Sequence, residues 1–295
     1  MIGLQTTFCR YKNSVVEKTE KLISIFESLD MPPYVQIGPP PVDEKFETLV
    51  SKLNTLKDKH EVEYSVHQSI WLPSPDFFLN LGSSNGTVKR GTLNSLKKSI
   101  DFARRIGAKN VSFHAGCAAN KVVQDEELEP LTTFDTIPYE EAYLNVKENL
   151  KKLLEYAKRD IRLSIENLNY RPESRYLFST PEDFQRLPKG IGILFDIGHA
   201  YFSGKRIGDS SYIEKMVNAV GGKITEIHAS DNDGSEDQHK LVGFGTVPFQ
   251  KIQLISKKQK LPPIIIEAEQ ARYNYTASDL KTSIKTLAKI ISEAR

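Results

Sequence analysis

In this 295-residue chain nine side chains of types that bind divalent cations sit at or soon after short apolar, β-branched runs. His67 ends VEYSVH (62–67), His114 ends NVSFH (110–114), Glu166 ends RLSIE (162–166) and Asp196 ends GILFD (192–196). His228 falls in ITEIHA (224–229) and Glu267 ends PIIIE (263–267). His199 in FDIGH, then Asp237 and His239 in EDQH, follow closely. Gathered on one face, so many carboxylates and imidazoles cannot lose water together without a compensating charge. A divalent cation supplies that charge. Imidazole with carboxylate suits zinc, with manganese or iron as alternatives, and nine groups exceed what one tetrahedral ion can use. Five of the 6 histidines belong to this set; His60, in the charged run KDKHE, reads as a solvated residue.

The elements that must position these groups follow from periodicity. Two further runs, IGLQTT (2–7) and YVQIG (34–38), bring the strand candidates to eight. Between them apolar residues recur three and four apart, as in Leu93, Leu96, Ile100, Ala103 and Ile106, which predicts helices. Tyr143, Val146, Leu150, Leu153 and Ala157 repeat the pattern, as do Leu280, Ile284, Leu287 and Ile291. Thr180, Pro181 and Asp183 mark a helix start with a capping box. Strand-then-helix alternation is the pattern of a parallel sheet, and eight such units predict an α/β fold, one (β/α)8 barrel spanning residues 1–295 as a single domain. In that fold the C-terminal strand ends converge on the active-site face, where the nine groups would meet. A doubly wound sheet would carry a Gly-rich first turn, which is absent.

PPP at 39–41 and LPSP at 72–75 read as loop starts. Residues 68–91 and 115–137 are too long for tight connections, and long structured loops are usually functional. Asp231 and Asp233 in SDNDG read as turn formers, and Cys117, just after HAG, as a small filler.

Composition excludes other classes. With 39% hydrophobic and 26% charged residues the chain is expected to be globular, and a net charge of +2 creates no global field toward nucleic acid or membrane. A local cationic bias does exist in Lys89, Arg90, Lys97, Lys98, Arg104 and Arg105. Two cysteines, Cys9 and Cys117, are too few for a disulfide framework and fit a reducing compartment. The start lacks a signal-like segment and no run approaches a membrane span, so a cytoplasmic protein without a membrane partner is expected.

Taken together, VHQS (66–69), FHAG (113–116), IEN (165–167), FDIGHA (195–200), IHASDNDGSEDQH (227–239) and IEAE (266–269) resemble the xylose-isomerase-like barrels and, within them, endonuclease IV, the zinc-dependent abasic-site endonuclease. The resemblance runs from the third strand onward. It implies a monomeric phosphodiesterase acting on DNA at abasic sites with up to three ions, zinc first and manganese as an option. One ion would take His67, His114 and Glu166; a second would share Glu166 and add Asp196, His228 and Glu267; a third would use His199, Asp237 and His239. Such a cluster yields hydroxide near neutral pH and neutralises the leaving oxygen, with Glu166 and Glu267 as the catalytic carboxylates. LNLG at 79–82 extends the likeness, so Trp71, Phe77 and Phe78 are expected to contact an extruded site while Lys89 and Arg90 bind phosphates.

The same residues also resemble the sugar isomerase and epimerase branch. Asp196-Ile-Gly-His199 stands where the endonucleases have Asp-Thr-Cys-His, SDNDG replaces their Asn-Asp-Ser-Lys stretch, and PPPVDEK lacks their Arg-Gln-Trp type of loop. On this alternative a single ion on Glu166, Asp196, His228 and Glu267 polarises a carbonyl of a sugar or sugar phosphate, while Glu166 and Glu267 exchange protons on opposite faces of an enediolate. A non-catalytic metal-binding barrel is a third reading. The surplus His67, His114, Asp237 and His239 favour the phosphodiesterase.

Overall fold

Alternation along short strands sets the architecture: one side of the strands is apolar and packs on helices, while the side facing the barrel interior carries polar residues such as Gln5, Gln36, Ser65, Ser112, Ser164 and Glu226 together with Leu194 and Ile265. A computed structural model describes residues 1–8, 14–38, 45–68, 71–74, 77–125 and 128–293. Cys9, the prolines at 39–41 and Pro75 lie outside the described residues.

In chain order the strands are β1 (Ile2–Gln5), β2 (Tyr34–Ile37), β3 (Glu63–His67), β4 (Asn110–Phe113), β5 (Ala119–Asp125), β6 (Leu128–Thr136), β7 (Arg162–Glu166), β8 (Ile191–Asp196), β9 (Ile224–Ala229) and β10 (Ile264–Ile266). The helices are α1 (Val15–Glu27), α2 (Phe46–His60), α3 (Gly86–Ile106), α4 (Tyr139–Ala157), α5 (Pro181–Gln185), α6 (Ile197–Ile207), α7 (Tyr212–Val220), α8 (Gln253–Ser256), α9 (Gln270–Tyr273) and α10 (Ala277–Glu293). Eight parallel strands close a barrel in the order β1-β2-β3-β4-β7-β8-β9-β10, with β10 pairing back to β1 through Ile2 and Ile264. This is the TIM-barrel fold.

Leu4, Val35, Val66, Val111, Leu163, Ile193 and Ile264 face outward into the helices' apolar stripes, which include Leu22, Leu53, Ile100, Leu150 and Leu287. The three helices read from spacing are present as α3, α4 and α10. Asn85 caps α3, its Oδ1 accepting from Thr87 N at 2.9 Å and Val88 N at 3.3 Å, and Gly107 closes it at φ 69°. The α5 cap forms as its sequence implies, Asp183 Oδ2 accepting from Thr180 N at 3.3 Å.

Three expectations need correction. β1 ends at Gln5, because Thr6–Phe8 turn into a 3-10 helix. Residues 115–137, expected as a long loop, carry regular structure instead: β5 and β6 form an antiparallel hairpin, an excursion outside the barrel sheet. His60 is not simply solvated, for its Nδ1 lies 2.6 Å from Glu27 Oε1 across α1 and α2. Among the described residues no helix is long and apolar enough to cross a membrane.

Candidate metal centre

Glu166, the last residue of β7, stands at the hub of the strand-end face. Its Oε2 lies 3.1 Å from His114 Nε2 and 3.3 Å from His67 Nε2; its Oε1 lies 3.4 Å from His199 Nδ1 and 3.6 Å from His228 Nδ1. His228 Nδ1 is also 2.8 Å from Glu267 Oε2 and 3.9 Å from Asp196 Oδ2. Beside this, Asp237 Oδ2 lies 3.0 Å from His199 Nε2 and 3.4 Å from His239 Nε2. Three groups result, each with ligand atoms within 4.8 Å of one another: His67, His114 and Glu166; Glu166, Asp196, His228 and Glu267; His199, Asp237 and His239. They border a cavity of about 90 Å³ that Asn169 and Tyr176 also line.

The donor set fits divalent cations on two counts. Buried His228 Nδ1 and Asp237 Oδ1 have no hydrogen-bond partner, so the 2.8 Å approach of Glu267 to His228 lacks a hydrogen bond's alignment, as when two groups point at a common third. The rings are also held from behind. His199 Nδ1 meets Asn167 O at 2.8 Å, His228 Nε2 meets Gln36 Oε1 at 2.8 Å, and His67 Nδ1 meets Ser112 Oγ at 3.1 Å. A carbonyl oxygen only accepts, so in neutral His199 and His228 the opposite nitrogen turns a lone pair into the cluster.

Electrostatics agree. Burial pushes the His67 imidazole down to about 3. Burial would raise Glu166, yet the imidazoles of His114, His228 and His67 outweigh it and hold the carboxylate well below its usual range. Burial lifts Asp196 to about 6, helped by repulsion from Glu166 and Glu267. Burial opposes a charge on His239, but Asp237 overrides it and raises the imidazole to about 10. Without cations, protons on His199, His228 and His239 balance the carboxylates; a cation would take their place.

The surrounding residues explain the motifs. Asp196 Oδ1 accepts from His199 N at 2.7 Å, capping α6, and both Asp196 oxygens accept from Ser230 Oγ, at 3.1 and 3.2 Å. A Cβ on Gly198 would stand 2.3 Å from Ser230 Oγ, so Gly198 and Ser230, both departures from the endonuclease pattern, depend on each other. Gly116, at φ 99°, leaves room for Asn80 Oδ1, which accepts from Cys117 N at 3.2 Å. Cys117 is buried, its thiol pushed up to about 12 by that burial, in keeping with a filler. Asp231 ties its loop by accepting from the main-chain N–H groups of Asn232, Gly243, Gly245 and Val247.

The five residues expected to meet substrate do not line the cavity. Trp71 packs on Phe46 and Phe102, with ring centroids 5.0 and 5.5 Å apart. The Phe77 ring covers Gly91, where a Cβ would come within 2.5 Å of it, and Phe78 is half-buried. Lys89 and Arg90 occupy the start of α3. Arg104 is bound to Asp160 and Asp101, and Arg105 to Glu47, so the cationic bias is partly spent in ion pairs. Sequence reasoning overlooked Asn169, whose Nδ2 donates to Asp237 Oδ2 at 2.7 Å, although it stands in IENLN beside Glu166.

The family described as Xylose isomerase-like TIM barrel matches residues 25–290. The chain belongs to this family. An uncharacterized protein from Methanocaldococcus jannaschii is 28% identical over 218 residues, covering 72% of this chain and 65% of that protein, just under two thirds of its length. A Thermoplasma volcanium protein named "Probable endonuclease 4" is 25% identical over 191 residues, 61% of this chain and 60% of that protein. Among solved structures, a D-tagatose 3-epimerase-like protein superposes with a TM-score of 0.73 at 23% identity, covering 99% of this chain and 97% of that one. That likeness concerns the fold. The names span two reaction classes, an endonuclease and a sugar epimerase.

Proposed function

We propose that the protein is a metal-dependent phosphodiesterase that cleaves DNA at abasic sites. The observation that carries the reading is the convergence of all nine side chains into three groups, two of which share Glu166. Bound divalent ions would supply Lewis acidity, a nucleophile near neutral pH and neutralisation of phosphate charge. Glu166 joins two groups and fixes their spacing; Glu267, which touches both His228 and His239, does the same on the other side. Asn167 and Asn169 keep His199 and Asp237 in register. All five imidazoles are engaged with carboxylates, which leaves no separate protein base and suits a reaction that needs none.

Packing of Trp71 and Phe77 away from the cavity favours a second reading, a sugar or sugar-phosphate epimerase using Glu166, Asp196, His228 and Glu267. In that reaction Glu166 and Glu267 would exchange protons with a carbon beside a carbonyl. One experiment separates them: zinc- or manganese-loaded protein is given a duplex with one abasic site and, separately, a ketose panel in D2O. Strand cleavage lost in Glu166→Gln supports the phosphodiesterase; an intact duplex with deuterium in a ketose supports the epimerase.

A further inference from the structure

The barrel interior beneath the cluster holds a buried polar column. Glu226 and His228 lie two apart on β9 and so project to the same side, into the barrel. Both are buried, as is Gln36 of β2. The Glu226 carboxyl accepts from Tyr34 Oη at 2.8 Å, from Asn110 Nδ2 at 2.6 Å and from Gln36 Nε2 at 3.3 Å. These three donors converge on two oxygens, an arrangement that calls for a carboxylate. Asn110 cannot turn its amide around, because reversed its Oδ1 would face the Glu226 carboxylate; as it stands, Oδ1 accepts from Ser164 Oγ at 2.8 Å. Gln36 is fixed in the same way: reversed, its carbonyl oxygen would face the carboxylate. Its Oε1 therefore points up the barrel, where it accepts from Gln5 Nε2 and His228 Nε2, each at 2.8 Å.

We propose that Gln36 and Glu226 are positioning residues for the metal centre: Glu226 orients the Gln36 amide, and Gln36 holds His228 with Nε2 protonated and Nδ1 aimed at Glu267, Glu166 and Asp196. The inference rests on the metal-centre reading above and extends it to two residues that touch no ion. Among the described residues the hydrogen-bond partner of His228 Nε2 is the Gln36 oxygen, and Glu226 is bonded to the Gln36 amide on its far side. The direction of the hydrogen bonds, set by one buried carboxylate, fixes which nitrogen is offered to a cation. Groups in this position typically change metal affinity about 10–100-fold when removed.

The test uses the full chain in four forms: wild type, Gln36→Leu, Glu226→Gln, and the double variant Gln36→Glu with Glu226→Gln. Cobalt(II) affinity is measured by competition with a chelator. Exchange of the His228 ring Nε2 proton is followed by NMR in the zinc-loaded proteins. Gln36→Leu should bind cobalt about 10–100-fold more weakly and exchange that proton faster. Glu226→Gln should shift both in the same direction. The double variant moves the one carboxylate from position 226 to position 36, where it accepts from His228, from Gln5 and from the amide now at position 226, so affinity and proton protection should return. Should Gln36→Leu fold poorly, the comparison of Glu226→Gln with the double variant decides the matter alone. Wild-type affinity and slow exchange in Gln36→Leu, or no recovery in the double variant, would overturn the proposal. A wild-type protein that binds no cobalt would instead overturn the metal-centre reading.

Discussion

His199 Nδ1 lies 2.8 Å from the carbonyl oxygen of Asn167, the residue that follows Glu166. One backbone segment therefore both presents the hub carboxylate and turns the His199 ring so that Nε2 faces Asp237 at 3.0 Å. His199 also approaches Glu166 itself, linking its own group to the hub. Replacing His199 by alanine should empty that group alone. Elemental analysis of His199→Ala should give one ion per chain fewer than wild type, while the metal-free barrel should lose roughly 3–5 kcal/mol because Asp237 is left buried without its His199 partner.

Cation binding should release protons. His239 is raised to about 10 by Asp237 against the opposing effect of burial, so at neutral pH the metal-free ring is protonated and must lose its proton to become a ligand. Calorimetric titrations with zinc in buffers of different ionisation enthalpy should show net proton release, and apparent affinity should fall as pH is lowered.

The same group makes the metal-free protein pH-sensitive. A folded-state value above the ordinary 6.5 means that its stabilising contribution is complete below about 6.5 and disappears as pH rises toward about 10. Melting temperature without metal should therefore decline over that window as far as His239 governs it, and His239→Gln should flatten the decline. The metal-loaded protein, with this ring already deprotonated, should show less of it.

Trp71→Ala tests whether this aromatic serves packing or substrate. Its ring lies against Phe46 and Phe102 and is half-buried, so truncation should cost about 2–3 kcal/mol, short of the roughly 3–5 typical of a fully buried aromatic. Denaturant unfolding measures the loss. Metal content should not change.

Gly198→Ala should lower stability by about 1–3 kcal/mol through overpacking against Ser230, whose Oγ a Cβ would approach to 2.3 Å. Combining it with Ser230→Gly should recover part of that cost, because the clash would then be confined to the main-chain oxygen of residue 230 at 2.4 Å.

Much of the site was legible because six of its nine residues lie at the ends of apolar runs and the other three follow in the next loops, and a parallel barrel brings such ends together. The barrel and the helices around it were likewise readable from eight short apolar, β-branched runs alternating with stretches of 3.6-residue period. Gln36, Asn110 and Glu226 were harder: they lie within strands, where a barrel interior is ordinarily filled by branched apolar residues, and only the alternation in YVQI, NVSF and ITEI hints that they face inward. An aromatic in a long loop beside a site reads as a ligand contact, and the packing of Trp71 and Phe77 against Phe46, Phe102 and Gly91 was not legible because it depends on residues distant in sequence. The hairpin of β5 and β6 went unseen for want of a clear period in that stretch.

The most direct test of the three-group centre is the number of divalent ions per chain, determined by elemental mass spectrometry on untagged protein purified without chelator. Because Glu166 belongs to two of the three groups, the account predicts close to three ions in wild type and a fall toward one in Glu166→Gln. A wild-type protein with no bound divalent ion, or a Glu166→Gln variant that retains the wild-type number, would contradict it.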